Sequence, residues 1–211
     1  MKILALEFSS PQRSVAVTQK DEFHESVSSS NAPLTMIEEA LRAAKLEREQ
    51  IECLVVGIGP GSYTGIRAGI SIAQGWQLAR AVKTLRISSA ECIAAQAQSD
   101  GATGSVHVVI DAQREELYLA SYELTRDSLR EVEPLKIVTL AEARQRAEDG
   151  GVLIGPEVTR WFASGKTVFP RAATLGCLAL DRTDFIPGEK LEPIYLRETN
   201  FVKAPPPRTV F

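Results

Sequence analysis

Twice in this chain a short apolar run carries an acidic residue at or next to its end, and a similar order of elements follows each time. Ile3–Phe8 is the first run, with Glu7 next to its end, and Val106–Asp111 is the second, ending on the acid itself. Runs of this length, apolar on both faces, suit central strands of a buried sheet. After the first, Ser14–Thr18 is β-rich, Pro11-Gln12-Arg13 supplies the turn of a hairpin, and Glu22–Val27 reads as a third strand. A helix is predicted over Pro33–Leu46, where Leu34, Ile37, Leu41 and Ala44 share a face. Thr35 and Glu38 have capping-box spacing, and Pro33 is equally suited to the first helical position. Strand Cys53–Ile58, helix Tyr63–Ala79, strand Thr84–Ile87 and helix Ser88–Gln98 complete this half.

The small, polar stretch Ser99–Ser105 reads as a boundary. Beyond it, strands are predicted at Glu116–Leu124, Val132–Val138 and Val152–Ile154. Helices are predicted at Leu140–Glu148, Glu157–Ala163 and Ala172–Leu180. The expectation is an α/β chain of two related halves, each with a βββαβα-type order, over 1–103 and 104–190. Residues 191–211, with Pro193 and the triplet Pro205-Pro206-Pro207, form a proline-rich tail suited to an extended surface strap or a frayed end rather than a specific binding motif.

Charge bears on partners. With 24 basic against 27 acidic residues the net charge is −3, and no basic stripe marks a nucleic-acid-binding face. Any nucleic-acid role is therefore expected to pass through a partner. Cys53, Cys92 and Cys177 are far apart and set in apolar stretches, which suits buried free thiols in a reducing cytoplasm. No apolar run approaches the length that crosses a membrane, and a cytoplasmic protein with no membrane role is expected.

The densest motif is Gly57-Ile58-Gly59-Pro60-Gly61-Ser62-Tyr63-Thr64-Gly65-Ile66-Arg67. A strand feeds a glycine turn that feeds a helix, where backbone N–H groups and the helix dipole can hold an anion. The spacing matches neither the dinucleotide fingerprint nor the P-loop, so a tight structural turn is an equal reading. Gly165-Lys166-Thr167 resembles a P-loop end, but Arg160 stands where its first glycine belongs. His24 and His107, the only histidines, sit on strands in different halves, and no metal site or catalytic residue is expected. Helix Tyr63–Ala79 carries small and apolar residues on more than one side, which suits either a buried core helix or a subunit interface shared with Pro33–Leu46. The candidate interface residues are Leu34, Ile37, Leu41, Ile66, Gly69, Ile70, Ala73 and Trp76.

The chain resembles the TsaB (YeaZ) family of tRNA threonylcarbamoyladenosine biosynthesis subunits over most of its length. The residues that carry this are Ile3–Ser10, Gly59–Gly69, Ser88–Glu91, Asp111–Tyr118 and Glu192–Arg197. The resemblance implies an actin/Hsp70-like ATPase (ribonuclease H-like) fold. It implies a non-catalytic scaffold that dimerises when alone and pairs with a catalytic TsaD-like homologue, which modifies adenosine 37 of tRNA. A TsaE-like ATPase joins the complex, tRNA is held through that complex, and ATP and magnesium act there rather than on this chain alone. Glu7, Gly59, Gly61, Ser62, Thr64, Gly65 and Asp111 are the candidate nucleotide or phosphate residues. The family usually has Asp at position 7 and Thr or Ser at position 8; the longer Glu7 beside apolar Phe8 argues against magnesium there. The competing reading is a small-molecule kinase or ATPase of the same fold, with Glu7 and Asp111 as its metal-holding acids.

Overall fold

The computed structural model describes residues 1–20, 22–148 and 150–197. The first half holds β1 (Lys2–Glu7), β2 (Arg13–Gln19), β3 (Glu22–Ser28), α1 (Pro33–Ala43), β4 (Cys53–Gly57), α2 (Tyr63–Ala79), β5 (Lys83–Ile87) and α3 (Ser89–Ser99). The second holds β6 (Gly104–Asp111), β7 (Glu116–Leu124), β8 (Leu129–Thr139), α4 (Leu140–Glu148), β9 (Val152–Gly155), β10 (Lys166–Thr167) and α5 (Ala172–Leu180).

The two sheets repeat one topology. The first runs β3-β2-β1-β4-β5 and the second β8-β7-β6-β9-β10. In each, the first three strands form an antiparallel meander and the last two join parallel to the first. This is the α/β, actin-like arrangement of two related halves. The acids Glu7 and Asp111 stand at equivalent positions, each the last residue of the central strand.

Alternation along the strands divides each sheet into two faces. In the first, Leu4, Leu6, Val15, Val17, Leu54 and Val56 pack under α1 and α2. Ile3, Ala5, Ala16, Val55, Leu85 and Ile87 face Cys92 of α3 and the buried side of α5. α3 is shared: Ala90, Ile93, Ala94 and Ala97 turn to the second sheet and meet Val106, Val108, Ile110 and Ala120. α4 covers the far face of that sheet through Ala143.

α5 lies on the first sheet although it follows the second in sequence. Its leading N–H groups are satisfied from the first half: Ala172 N donates to Ser14 Oγ at 2.8 Å and Ala173 N to Glu25 Oε1 at 3.1 Å. The same Glu25 carboxylate takes the Arg171 guanidinium. The chain then straps the first half: Ile186 N donates to Thr84 O at 3.0 Å and Ile194 N to Ile58 O at 3.0 Å.

Several local expectations shift. α1 starts on Pro33 with no side-chain cap, so the Thr35/Glu38 box does not form; Glu38 instead pairs with Arg48. α1 also stops three residues short of Leu46. Lys45 takes a left-handed conformation (φ 54), and the bonds Leu46 N→Leu41 O and Lys45 N→Arg42 O close a Schellman cap with lysine where glycine is usual. The expected helix over Glu157–Ala163 is only a 3-10 turn at Val158–Arg160. Cys177 is exposed, unlike the buried Cys53 and Cys92, because it faces away from the sheet that α5 covers. No helix among the described residues is long and apolar enough to cross a membrane.

Candidate functional site: the cleft between the halves

A cleft of about 820 Å³ opens between the halves, at the C-terminal ends of the central strands. The first half contributes Ser9, Ser10, Arg13 and the turn Pro60–Tyr63; the second contributes Asp111, Gln113, Glu157 and Arg160; the strap contributes Pro193–Tyr195. The volume falls in the range of small-molecule sites, roughly 300–1,000 Å³.

Three of the seven candidate nucleotide or phosphate residues line this space: Gly61, Ser62 and Asp111. Glu7, Gly59, Thr64 and Gly65 are not among its lining residues. The glycine turn is committed to packing. A Cβ on Gly65 would run into the Phe8 carbonyl oxygen, and one on Gly61 into the Ser9 carbonyl oxygen. Gly61 also has φ 144, which favours glycine. Some of its N–H groups are engaged as well. Ser62 N donates to Ser9 O at 2.6 Å, and Gly65 N donates to the capping Ser62 Oγ at 3.4 Å. The turn thus seats the end of β1.

Glu7 is fully buried. Its Oε1 accepts from Ser9 N at 2.8 Å and its Oε2 from Ser89 Oγ at 3.0 Å. Ser89 Oγ in turn accepts from Gly59 N at 3.2 Å, so the carboxyl ties β1, the glycine turn and the first turn of α3 together. Room for the longer acid comes from Gly57, where any side chain would overlap the Glu7 carboxylate. In the sequence, the signal for this burial of Glu7 is Gly57 on the neighbouring strand.

Burial pushes the Glu7 carboxyl above its ordinary value, against the hydrogen bonds from Ser9 and Ser89, which lower it. A raised folded pKa favours the protonated form. Its stabilisation is full below the unfolded value near 4.5 and is lost as pH rises through the folded value. Glu7→Gln keeps an acceptor for Ser9 N and does not ionise. Melting curves from pH 4.5 upward should show this variant gaining on the wild type as pH rises; a gap that stays constant with pH would mean the carboxylate is not desolvated.

Asp111 faces the cleft and is held from two sides. Oδ1 accepts from Gln113 N at 2.7 Å, and Oδ2 pairs with Arg160 at 3.3 Å. It sits before three successive residues with positive φ, Gln113, Arg114 and Glu115, and the strap's Arg197 holds that turn by donating to Ala112 O at 2.9 Å. Glu157 lies beside it, its carboxyl raised by burial and by the Asp111 charge. His107 is a hydrogen-bonded core residue, with Nδ1 2.8 Å from Ser121 Oγ and Nε2 3.0 Å from Gly150 O. No cluster of three metal-ligating side chains occurs among the described residues.

The candidate interface residues divide by burial. Ile37, Leu41, Ile66, Gly69, Ile70 and Ala73 face the chain's own first core, and Trp76 is half-buried against it. Leu34 is exposed. The outward side of α2 is a different set, Thr64, Arg67, Ser71, Gly75 and Leu78, of which Leu78 is 90% exposed and Gly75 has open space where a Cβ would stand.

A family model described as TsaD, tRNA N6-adenosine threonylcarbamoyltransferase, matches residues 26–188. The Escherichia coli tRNA threonylcarbamoyladenosine biosynthesis protein TsaB is 28% identical over 78% of this chain and 78% of its own length. The Bacillus subtilis protein of the same name is 26% identical over 67% of this chain and 64% of its own length. In structure, YeaZ from Pseudomonas aeruginosa superposes with a TM-score of 0.80 at 22% identity, covering 92% of this chain and 99% of that one.

Proposed function

This chain belongs to the TsaB (YeaZ) family, which shares the TsaD-type domain, and from that premise we propose that it serves tRNA threonylcarbamoyladenosine biosynthesis as a non-catalytic scaffold subunit. Its principal partner is a catalytic TsaD-like homologue. It self-associates when alone, and a TsaE-like ATPase and tRNA join through the complex in the cytoplasm. The units are the halves 1–103 and 104–190, with the tail 191–211.

The observation that supports this reading best is how little of the cleft is free for chemistry. Glu7 is sequestered behind Gly57, the glycine turn is packed against the end of β1, and Asp111 is engaged by Gln113 and Arg160. Meanwhile α2 offers an outward side with a glycine and a bare Leu78. Small residues let a partner helix approach closely, and apolar burial there gains about 25 cal/mol per Å². The docking face is the outward side of α2, with Ser71, Gly75 and Leu78, and the exposed Leu34 of α1 is a separate candidate contact.

Co-purification with the catalytic homologue tests the partnership, and ATP turnover by the isolated chain tests the absence of catalysis. Turnover is expected at background. Robust hydrolysis that falls in Asp111→Asn would establish the kinase or ATPase alternative instead.

A further inference from the structure

We infer that the mouth of the cleft is a stacking platform for an unpaired nucleotide of RNA, with the base on Tyr63 and Tyr195 and the phosphate on Arg13 and Arg67. The inference rests on the reading of the chain as a tRNA-modification subunit and adds a direct RNA contact to it.

Two tyrosines from distant parts of the sequence meet at this rim. Tyr63 opens α2, Tyr195 lies on the strap, and their ring centroids are 6.4 Å apart at an interplanar angle of 45°. Both rings line the cleft, yet each stays 58% exposed, so neither is there to fill a core. The Arg67 guanidinium lies over the Tyr63 ring, 4.8 Å from its centroid, and bonds the Tyr63 hydroxyl. Arg13 lines the cleft beside Ser9 and Ser10.

Among the described residues neither Arg13 nor Arg67 has a carboxylate partner, whereas Arg160, across the cleft, is neutralised by Asp111. Exposed aromatic faces beside unpaired guanidiniums suit the two parts of a nucleotide. The base supplies a π-face and the phosphate takes the planar donor fork. The Ser62 hydroxyl, which accepts from Gly65 N, adds a donor for a phosphate or ribose oxygen. A protein partner would favour an apolar patch, and such a patch lies farther along α2, around Leu78. With a net charge of −3, RNA affinity depends on these local cations rather than on a general basic surface.

The test is fluorescence anisotropy of a labelled tRNA anticodon stem-loop titrated with the full chain at low salt. Tyr195→Ala and Tyr63→Ala should each weaken binding about tenfold, the loss expected for one stacked base. Tyr195→Phe should bind like the wild type, since stacking needs the ring and not the hydroxyl. Arg13→Ala should weaken binding and lower the salt slope by about one. Capture of the catalytic homologue should be unchanged in all four variants, and added ATP should not displace the stem-loop from the wild type. The inference is overturned if the wild-type chain does not bind the stem-loop or if the alanine variants bind it like the wild type. Displacement by ATP would make this a free-nucleotide site, and loss of the homologue would make it a protein contact; either also overturns it. None of these outcomes decides the scaffold reading, which stands or falls on the partner itself.

Discussion

Gly65→Ala is expected to lower the melting temperature by roughly 6–12 °C, and Gly75→Ala, ten residues further along the same helix, to raise it by about 2–4 °C. The substitution is identical and the backbone is helical at both sites. What differs is the neighbour. At Gly65 a methyl group would meet the Phe8 carbonyl oxygen, a backbone atom that moves only if β1 or α2 moves. Overpacking of this kind costs roughly 3 kcal/mol or more where no flexible side chain can yield. At Gly75 the added methyl meets nothing within 4 Å. There the helix gains the propensity difference between glycine and alanine, about 1 kcal/mol. Thermal unfolding of the two variants beside the wild type checks both signs at once. Equal shifts would mean that the seat between α2 and the end of β1 is looser than these contacts indicate.

A second contrast concerns charge on the two sides of the same helix. Ala73→Arg should fail to fold. Ala73 is fully buried in the first core, and a guanidinium there loses its hydration without gaining a partner. That penalty, on the order of several kcal/mol, rivals the 5–15 kcal/mol by which whole domains are stable. Gly75→Arg should fold as well as the wild type or better, because the side chain projects into open space from a helix that glycine weakens. Its expected effect lies elsewhere. An arginine in the middle of a close helix contact should weaken association with the catalytic homologue roughly hundredfold or more. Circular dichroism separates the two variants, and sedimentation with co-purification reads the second effect. A folded Gly75→Arg chain that still binds its partner would move the interface away from α2.

These contrasts show what the residues alone could and could not convey. The repeated strand-and-acid pattern was legible because buried central strands have few sequence alternatives, and both sheets carry it. The glycines of α2 signalled close approach, but helical spacing does not say which side is approached by what. Gly65 and Gly69 meet Phe8 of the same chain, and Gly75 meets open space. α5 was legible as a helix and silent about its sheet. Its apolar residues suit either core, and the choice is made by Ser14 and Glu25, about 150 residues away, which take its first N–H groups. At the site, Gly61, Ser62 and Asp111 were placed where the cleft runs, because turns at strand ends gather there. Glu7 was not, since its burial depends on the gap at Gly57, on another strand. Tyr195 stands in a resemblance-bearing stretch of the tail, but its meeting with Tyr63 needs the tail to cross the first half, which spacing along the chain does not convey.

The scaffold account is tested most directly by measuring threonylcarbamoyl-adenosine formation on tRNA with the catalytic homologue and the ATPase partner present. Three forms of this chain are compared: wild type, Gly75→Arg and Asp111→Asn. Asp111→Asn removes the cleft charge and keeps an acceptor for Gln113 N. The account predicts that modification follows partner binding, so that Gly75→Arg abolishes it and Asp111→Asn sustains it at the wild-type rate. Loss of modification in Asp111→Asn, with the homologue still bound, would contradict it and place chemistry in this chain's own cleft.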